Sequence, residues 1–286
     1  MSENKVLRGK PVADALTEKI IEEVKMLRRN GAVPLLAMLK VGNREDDEAY
    51  QRGALSRCAK CNIDTKVVEL DENCTQEEYI EALRNLNEDD KVHGILCFRP
   101  LPKQIDETLI ETVIDSRKDV DCFSPANMAK IMSGDETGFP PCTPMGVMEI
   151  IRHYDIDIVG KKVAVLGRSL VVGKPLSILL LNSDATIAVC HSKTEDIRSI
   201  TRESDVVISC MGRAKMVDSS YISEGAVVID VGINFDEDGN MCGDVDFDSV
   251  LDKVSMITPV PRGVGSVTTS ILAGHVVKAC RQLTGI

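Results

Sequence analysis

The amino-acid sequence predicts an α/β protein with mainly parallel, twisted sheets. Three observations predict it. Short apolar, β-branched runs alternate with amphipathic helical segments along the chain, the pattern of strands joined by helical crossovers. The stretch Lys162-Val-Ala-Val-Leu-Gly-Arg-Ser-Leu-Val-Val-Gly-Lys-Pro175 reads as a strand, a tight loop and a helix start. A chain of 286 residues with 43% hydrophobic content can fill one large domain or two.

Each element has its own signal. Val12, Leu16, Ile20, Val24 and Leu27 mark a first amphipathic helix. Leu35 to Val41 reads as a buried strand stopped by Gly42-Asn43, and a helical stretch follows from about Asp46 to Cys61. Thr65 to Leu70 is a second strand, and Thr75-Gln-Glu-Glu78 is a capping box opening a helix to Leu86. Val92 to Phe98 is a third strand, broken by Pro100 and Pro102. Gly134 to Pro144 is a connector rich in Gly, Pro and Thr, after which Thr143 caps a helix with Pro144 in its first position. A second series follows, with strands near Val163–Leu166, Ala185–Cys190, Val206–Cys210, Ala226–Val231 and Val254–Ile257. A last helix, about Val267 to Leu283, is expected to pack back on the first domain.

Composition excludes several functions. No apolar run is long enough to span a bilayer, and the start carries no secretory pattern, so a cytoplasmic protein without membrane contact is expected. A net charge of −11 and 3% aromatic content, with no Trp, argue against nucleic acid. That charge also requires an anionic ligand to be held by local cations or backbone amides. The ten cysteines read as reduced packing residues, with Cys97, Cys190 and Cys210 at strand ends. Cys58 and Cys61 form one isolated CxxC, and the four histidines are scattered, so no metal is expected.

The loop from Gly167 to Gly173 suits a pyrophosphate, because backbone N–H groups and the helix dipole converge there. Its Gly-x5-Gly spacing departs from Gly-x-Gly-x-x-Gly, and any βα turn could use two such glycines.

Six segments in order carry more. They are Pro100-Leu-Pro102, Lys118-Asp-Val-Asp121, Pro140-Pro-Cys-Thr-Pro-Met-Gly146, the Gly167–Pro175 loop, Val228-Ile-Asp-Val-Gly-Ile-Asn234 and Thr258-Pro-Val-Pro-Arg-Gly-Val-Gly265. Together they closely resemble the methylenetetrahydrofolate dehydrogenase–methenyltetrahydrofolate cyclohydrolase family, from Arg8-Gly-Lys10 to the last helix. The resemblance implies a folate-binding catalytic domain over 1–140, completed by 267–286, and a Rossmann-like NAD(P)-binding domain over 141–266, with a cleft between them. It implies a homodimer and two reactions. Hydride leaves the one-carbon bridge of 5,10-methylenetetrahydrofolate for a nicotinamide. Water then adds to the methenyl cation. The first step needs two rings held in near-attack geometry; the second needs a titratable group of tuned pKa.

It places cofactor contacts at Cys142, Thr143, Gly167, Arg168, Ser169, Val172, Gly173, Pro175, His191, Ser192, Gly212, Val231, Gly232, Ile233 and Thr268. The folate substrate is assigned to Tyr50, Phe98, Pro100, Asp121, Pro261, Arg262 and Gly263, with Tyr50 and Asp121 also the surviving catalytic candidates. Without the resemblance, Tyr50 reads as a half-buried packing residue, Asp121 as a cap or ion-pair partner and Arg262 as a solvated loop cation. Cys142 reads as packing rather than as a nucleophile.

The chain departs from the family pattern at telling positions. Four residues after Tyr50, where the family has lysine, stands Ala54; two before Pro100, where it has glutamine, stands Phe98. Neither replacement transfers a proton or hydrogen-bonds an amine. Asp47 replaces a serine, Cys122 and Arg262 replace glycines, and Ser266 replaces a proline. Cyclohydrolase activity is therefore expected to be weak or lost. The second strand of the nucleotide domain ends Val189-Cys-His-Ser-Lys-Thr194 with no acid for ribose hydroxyls, so NADP is expected in preference to NAD, with Arg168, Ser192 and Lys193 near its 2′-phosphate.

Overall fold

The structure, a computed structural model, describes residues 5–286 apart from the Asp46 side chain. The chain forms two compact units. One comprises Ala15–Pro141 with Thr269–Ile286, and the other the described residues up to Asp14 with Cys142–Thr268.

The first unit is built on α1 (Gly9–Arg29, from its seventh residue), β1 (Leu35–Val41), α2 (Glu45–Lys60), β2 (Asp64–Leu70), α3 (Gln76–Glu88), β3 (Gly94–Cys97), α4 (Glu107–Val113) and α5 (Pro125–Ser133). Its three strands pair in parallel in the order β2-β1-β3. Alternate residues of β1 face opposite sides of the sheet. Ala37, Leu39 and Val41 join Tyr79, Leu83 and Ile95 in one core cluster, while Leu36 and Met38 on the other face are equally inaccessible. The capping box forms as expected: Thr75 Oγ1 accepts from Glu78 N at 3.2 Å and Glu78 Oε2 accepts from Thr75 N at 2.7 Å. Buried Lys118 donates to the carbonyls of Leu86, Asn87 and Asp89, which closes the C-terminal end of α3. Asp119 accepts from Phe123 N, Ser124 N and Asn127 Nδ2, which fixes the start of α5.

The second unit holds α6 (Cys142–His153), β4 (Lys162–Leu166), α7 (Gly173–Leu181), β5 (Thr186–Cys190), α8 (Ile197–Arg202), β6 (Val206–Ser209), β7 (Val227–Asp230), β8 (Asn234–Phe235), β9 (Met241–Cys242), α9 (Phe247–Leu251) and β10 (Met256–Ile257). Five strands form one parallel sheet, β10-β7-β6-β4-β5, and β8 and β9 pair as an antiparallel hairpin. The last helix, α10 (Thr268–Thr284), belongs after its first residue to the three-stranded unit, where His275 Nδ1 lies 2.8 Å from Val120 O.

Two local expectations need correction. Helix α6 begins at Cys142, so Thr143 lies inside its first turn and is not the cap; Pro144 also lies in that turn, where a missing N–H costs nothing. Helix α7 begins at Gly173 rather than at Pro175. The described residues up to Asp14 contact the five-stranded unit: Leu7 N donates to Ile257 O at 2.8 Å and Gly9 N to Arg262 O at 2.9 Å.

Candidate active site and cofactor crevice

In a parallel sheet every strand ends on the same edge, and ligands bind where the strand order reverses. Here it reverses at β4, which is flanked by β5 on one side and β6 on the other. The loops after β4, β5, β6, β7 and β10 carry Gly167–Val172, His191-Ser192, Gly212, Val231–Ile233 and Pro261–Gly263. The topology thus collects at one edge residues that lie up to 96 positions apart in the chain.

The glycines of the first loop are required by the loop itself. Gly167 has φ +126, and a Cβ there would sit 2.5 Å from Cys210 O. A Cβ on Gly173 would sit 2.3 Å from Gly167 O. Ser169 Oγ accepts from Val172 N at 3.1 Å and from Gly173 N at 3.4 Å, which holds the loop shut behind α7. Among the described hydrogen bonds, none takes the backbone N–H groups of Arg168, Ser169, Leu170 or Val171, and Val172 provides no side-chain cap. Four free donors beside a helix N-terminus fit a pyrophosphate.

After β5, His191 N donates to Thr194 Oγ1 at 2.9 Å and Lys193 N to His191 Nδ1 at 3.2 Å, forming a tight turn. Ser192, Lys193 and Arg168 are exposed, and no carboxylate lies in this turn before Glu195. Cys142 is buried, with its thiol at the start of α6, and Thr268 Oγ1 donates to Gly265 O at 3.2 Å.

Two buried acids outside the expected site residues complete this edge. Asp230, the last residue of β7, accepts from Gly232 N at 2.9 Å, Asp244 N at 3.1 Å and Val245 N at 2.9 Å. Asp244, fully inaccessible, accepts from Ser209 Oγ, Met211 N, Arg213 N and Asn234 Nδ2. Burial pushes the Asp230 carboxyl up to about 7, against its backbone hydrogen bonds, which favour the anion. The glycines at 232 and 243 were the available signal: a Cβ at either would collide with Asp244 or Asp230.

The substrate candidates divide between the units. Pro261, Arg262 and Gly263 belong to the five-stranded unit, and Tyr50, Phe98, Pro100 and Asp121 to the other. Within the three-stranded unit, the Tyr50 ring meets Phe98 edge-on, with centroids 6.2 Å apart and planes at 78°. Ala54, one helical turn from Tyr50 on α2, is wholly buried. Pro100 O accepts from Arg44 Nη1 at 2.9 Å, which ties the turn after β3 to the start of α2. A parallel bridge between Ile95 and Asp119 runs the next residues alongside β3, so half-buried Asp121 lies toward the edge that bears Phe98.

Two non-glycine residues of these segments have positive φ, Cys122 at +57 and Arg262 at +81. The backbone at both positions has a shape suited to glycine. Lys40, a second lysine buried in this unit, holds Asn43 Oδ1 at 2.7 Å and Glu69 Oε2 at 3.0 Å. Glu69 lies opposite Lys40 on β2, so this ammonium is ion-paired across the sheet.

Fold and site together define a two-unit α/β protein with a dinucleotide crevice on its five-stranded sheet. Residues 141–284 match the NAD(P)-binding domain of the tetrahydrofolate dehydrogenase/cyclohydrolase family, and residues 7–121 match its catalytic domain. The chain belongs to that family. It is 60% identical over 280 residues to the bifunctional protein FolD of Clostridioides difficile (strain 630), covering 98% of each chain. Its structure is similar to that of the bifunctional FolD methylenetetrahydrofolate dehydrogenase/cyclohydrolase from Campylobacter jejuni, with a TM-score of 0.94 and 41% identity over 97% of this chain and 98% of that one. It is also similar to the Trypanosoma brucei dehydrogenase-cyclohydrolase complexed with NADP cofactor and inhibitor, with a TM-score of 0.93 and 37% identity over 100% of both chains.

Proposed function

We propose that this protein oxidises 5,10-methylenetetrahydrofolate with NADP and hydrolyses the methenyl product weakly or not at all. That it is a methylenetetrahydrofolate dehydrogenase follows from its family. The finer reading rests on one observation: buried Ala54 stands one turn from Tyr50, and Phe98 fills the neighbouring position. A methyl group and a phenyl ring move no proton. The buried lysines of this unit are committed elsewhere, Lys40 to Glu69 and Asn43, and Lys118 to three carbonyls.

Hydride transfer asks less of the chain. The product cation is stabilised by its own nitrogens, so the protein has only to hold two rings together and keep water out. In this reading Tyr50 stacks on the aminobenzoyl ring, Asp121 accepts from the pterin, and Pro261–Gly263 complete the substrate contacts. The free amides of the Gly167–Gly173 loop hold the pyrophosphate, and Arg168 and Ser192 hold the 2′-phosphate. Bound there, the nicotinamide supplies the hydride acceptor. NADP is favoured by the acid-free turn after β5 and by the cofactor of the trypanosomal relative. No helix of the described residues is long and apolar enough to cross a membrane. A cytoplasmic homodimer is part of the proposal.

The names of the relatives favour a second reading, a fully bifunctional enzyme with another proton relay. One paired assay separates the two. NADPH formation and methenyltetrahydrofolate loss are followed in the same preparation. The expected outcome is rapid oxidation with hydrolysis close to the buffer rate. Comparable rates for the two steps would establish the second reading.

A further inference from the structure

The strands β6 and β7 end side by side, with Ser209 and Asp230 in register. Cys210 N and Val231 N still reach ladder carbonyls, and beyond them the N–H groups of Met211, Gly232 and Arg213 have side-chain acceptors instead. Buried polar groups must find others. They find two carboxylates. Asp244 arrives from beyond the β8–β9 hairpin, 35 residues after Ser209 in sequence. Its Oδ2 accepts from Ser209 Oγ at 2.9 Å and Met211 N at 2.6 Å; its Oδ1 accepts from Arg213 N at 2.8 Å and Asn234 Nδ2 at 3.0 Å. One side chain thereby joins the loop after β6 to the segment after β7. Asp230 continues the chain of bonds by accepting from the amide of Asp244 and from Gly232 N. Among the described residues neither acid has an ion-pair partner at all. A buried acid without a cation is retained at a cost unless its oxygens are fully used.

Both loops border the cofactor crevice. The first carries Gly212 between the two amides that Asp244 holds. The second carries Gly232, where a Cβ would sit 2.3 Å from Asp244 Oδ1. The glycine and the carboxylate therefore occupy one packed arrangement, and moving the acid moves the loop.

We propose that Asp244 is a positioning residue for the nicotinamide cofactor, setting the two loops after β6 and β7 at the spacing that binding requires. The proposal rests on the assignment of this edge as the NADP site. Asp244 touches only the chain, so it acts through Met211–Arg213 and Asn234. Asparagine at this position keeps the size but turns one oxygen into a donor that faces donors.

The test measures NADPH affinity, from the fluorescence of the cofactor, beside thermal unfolding of the full chain. Four proteins are compared: wild type, Asp244→Asn, Asn234→Ala and Asp119→Asn. Asp119 is an equally buried backbone-capping acid in the other unit. Asp244→Asn is expected to bind NADPH roughly tenfold more weakly or worse, as loss of hydrogen bonds to a charged group implies. Its KM for NADP should rise while its KM for the folate substrate holds. Asn234→Ala, which removes one donor and leaves the acid, should weaken binding by a smaller factor. Asp119→Asn should lower the melting temperature and leave NADPH affinity unchanged. Should Asp244→Asn fail to fold, Asn234→Ala decides. Wild-type affinity in both crevice variants, or an equal loss in Asp119→Asn, overturns the proposal. A wild-type protein that binds no NADPH overturns the cofactor assignment itself, and this inference with it.

Discussion

Arg262 and Cys122 each hold a left-handed backbone that glycine adopts freely. Such a conformation costs a non-glycine residue on the order of 1–3 kcal/mol, and it persists only where the surroundings enforce it. For Arg262, its carbonyl is held by Gly9 N. Arg262→Gly is therefore expected to raise the melting temperature, by about 1 kcal/mol of stability once the extra freedom of an unfolded glycine is deducted. An unchanged or lower melting temperature would show that no strain is stored there. The Tyr50, Ala54 and Phe98 group makes a second prediction. Ala54→Lys alone places an ammonium in a wholly buried position one turn from Tyr50, and should destabilise without restoring hydrolysis. Adding Phe98→Gln provides an amide partner, and the double variant should gain roughly 10²-fold or more in cyclohydrolase rate. A double variant no faster than wild type would mean that hydrolysis needs more than these two residues.

The strand–loop–helix unit of β4 and α7 depends on backbone meeting backbone. At Gly173 the atom nearest a new Cβ is a carbonyl oxygen of the same loop, 2.3 Å away, and no side chain can rotate to relieve it. Gly173→Ala should open the loop, abolish measurable NADPH binding and lower the melting temperature. Retention of wild-type affinity would show that the loop amides do not bind the pyrophosphate. Helices α4, α5, α8 and α9 and the β8–β9 hairpin were not foreseen, although α5 carries clear signals, with Ser124 as cap, Pro125 at its start and left-handed Gly134 at its end. All five elements are short, so none repeats a hydrophobic period often enough to stand out.

At the scale of the molecule, α10 is fastened to the three-stranded unit through His275. Burial holds this imidazole down to about 4, below the 6.5 of an exposed ring. Between those values the unfolded chain binds a proton that the native state refuses. The contribution of His275 is thus complete above pH 6.5 and is lost as pH falls toward 4, an amount of about 3 kcal/mol at most. Asp230, pushed up rather than down, slopes the other way. The difference between wild type and His275→Asn isolates the histidine: the variant should lose less stability between pH 6.5 and 4.5 than wild type does. Parallel pH profiles would mean that the ring is protonated as readily in the fold as out of it.

The sequence by itself determined what is local. The span of β1, the Thr75 capping box and the glycine spacing of the β4–α7 loop each depend on neighbours within one turn or one strand. That Ala54 and Phe98 stand at their positions is equally plain, since residue identity needs no coordinates. The tertiary structure alone decided that Lys118 and Asp119 are architectural, that the segment through Asp14 groups with the five-stranded unit, and that Asp230 and Asp244 brace the chain beyond β6 and β7. The reason is physical. A buried carboxylate or ammonium is defined by which orphaned backbone groups it meets, and Asp244 meets those of a loop more than thirty residues away, along a path that no periodicity in the chain records.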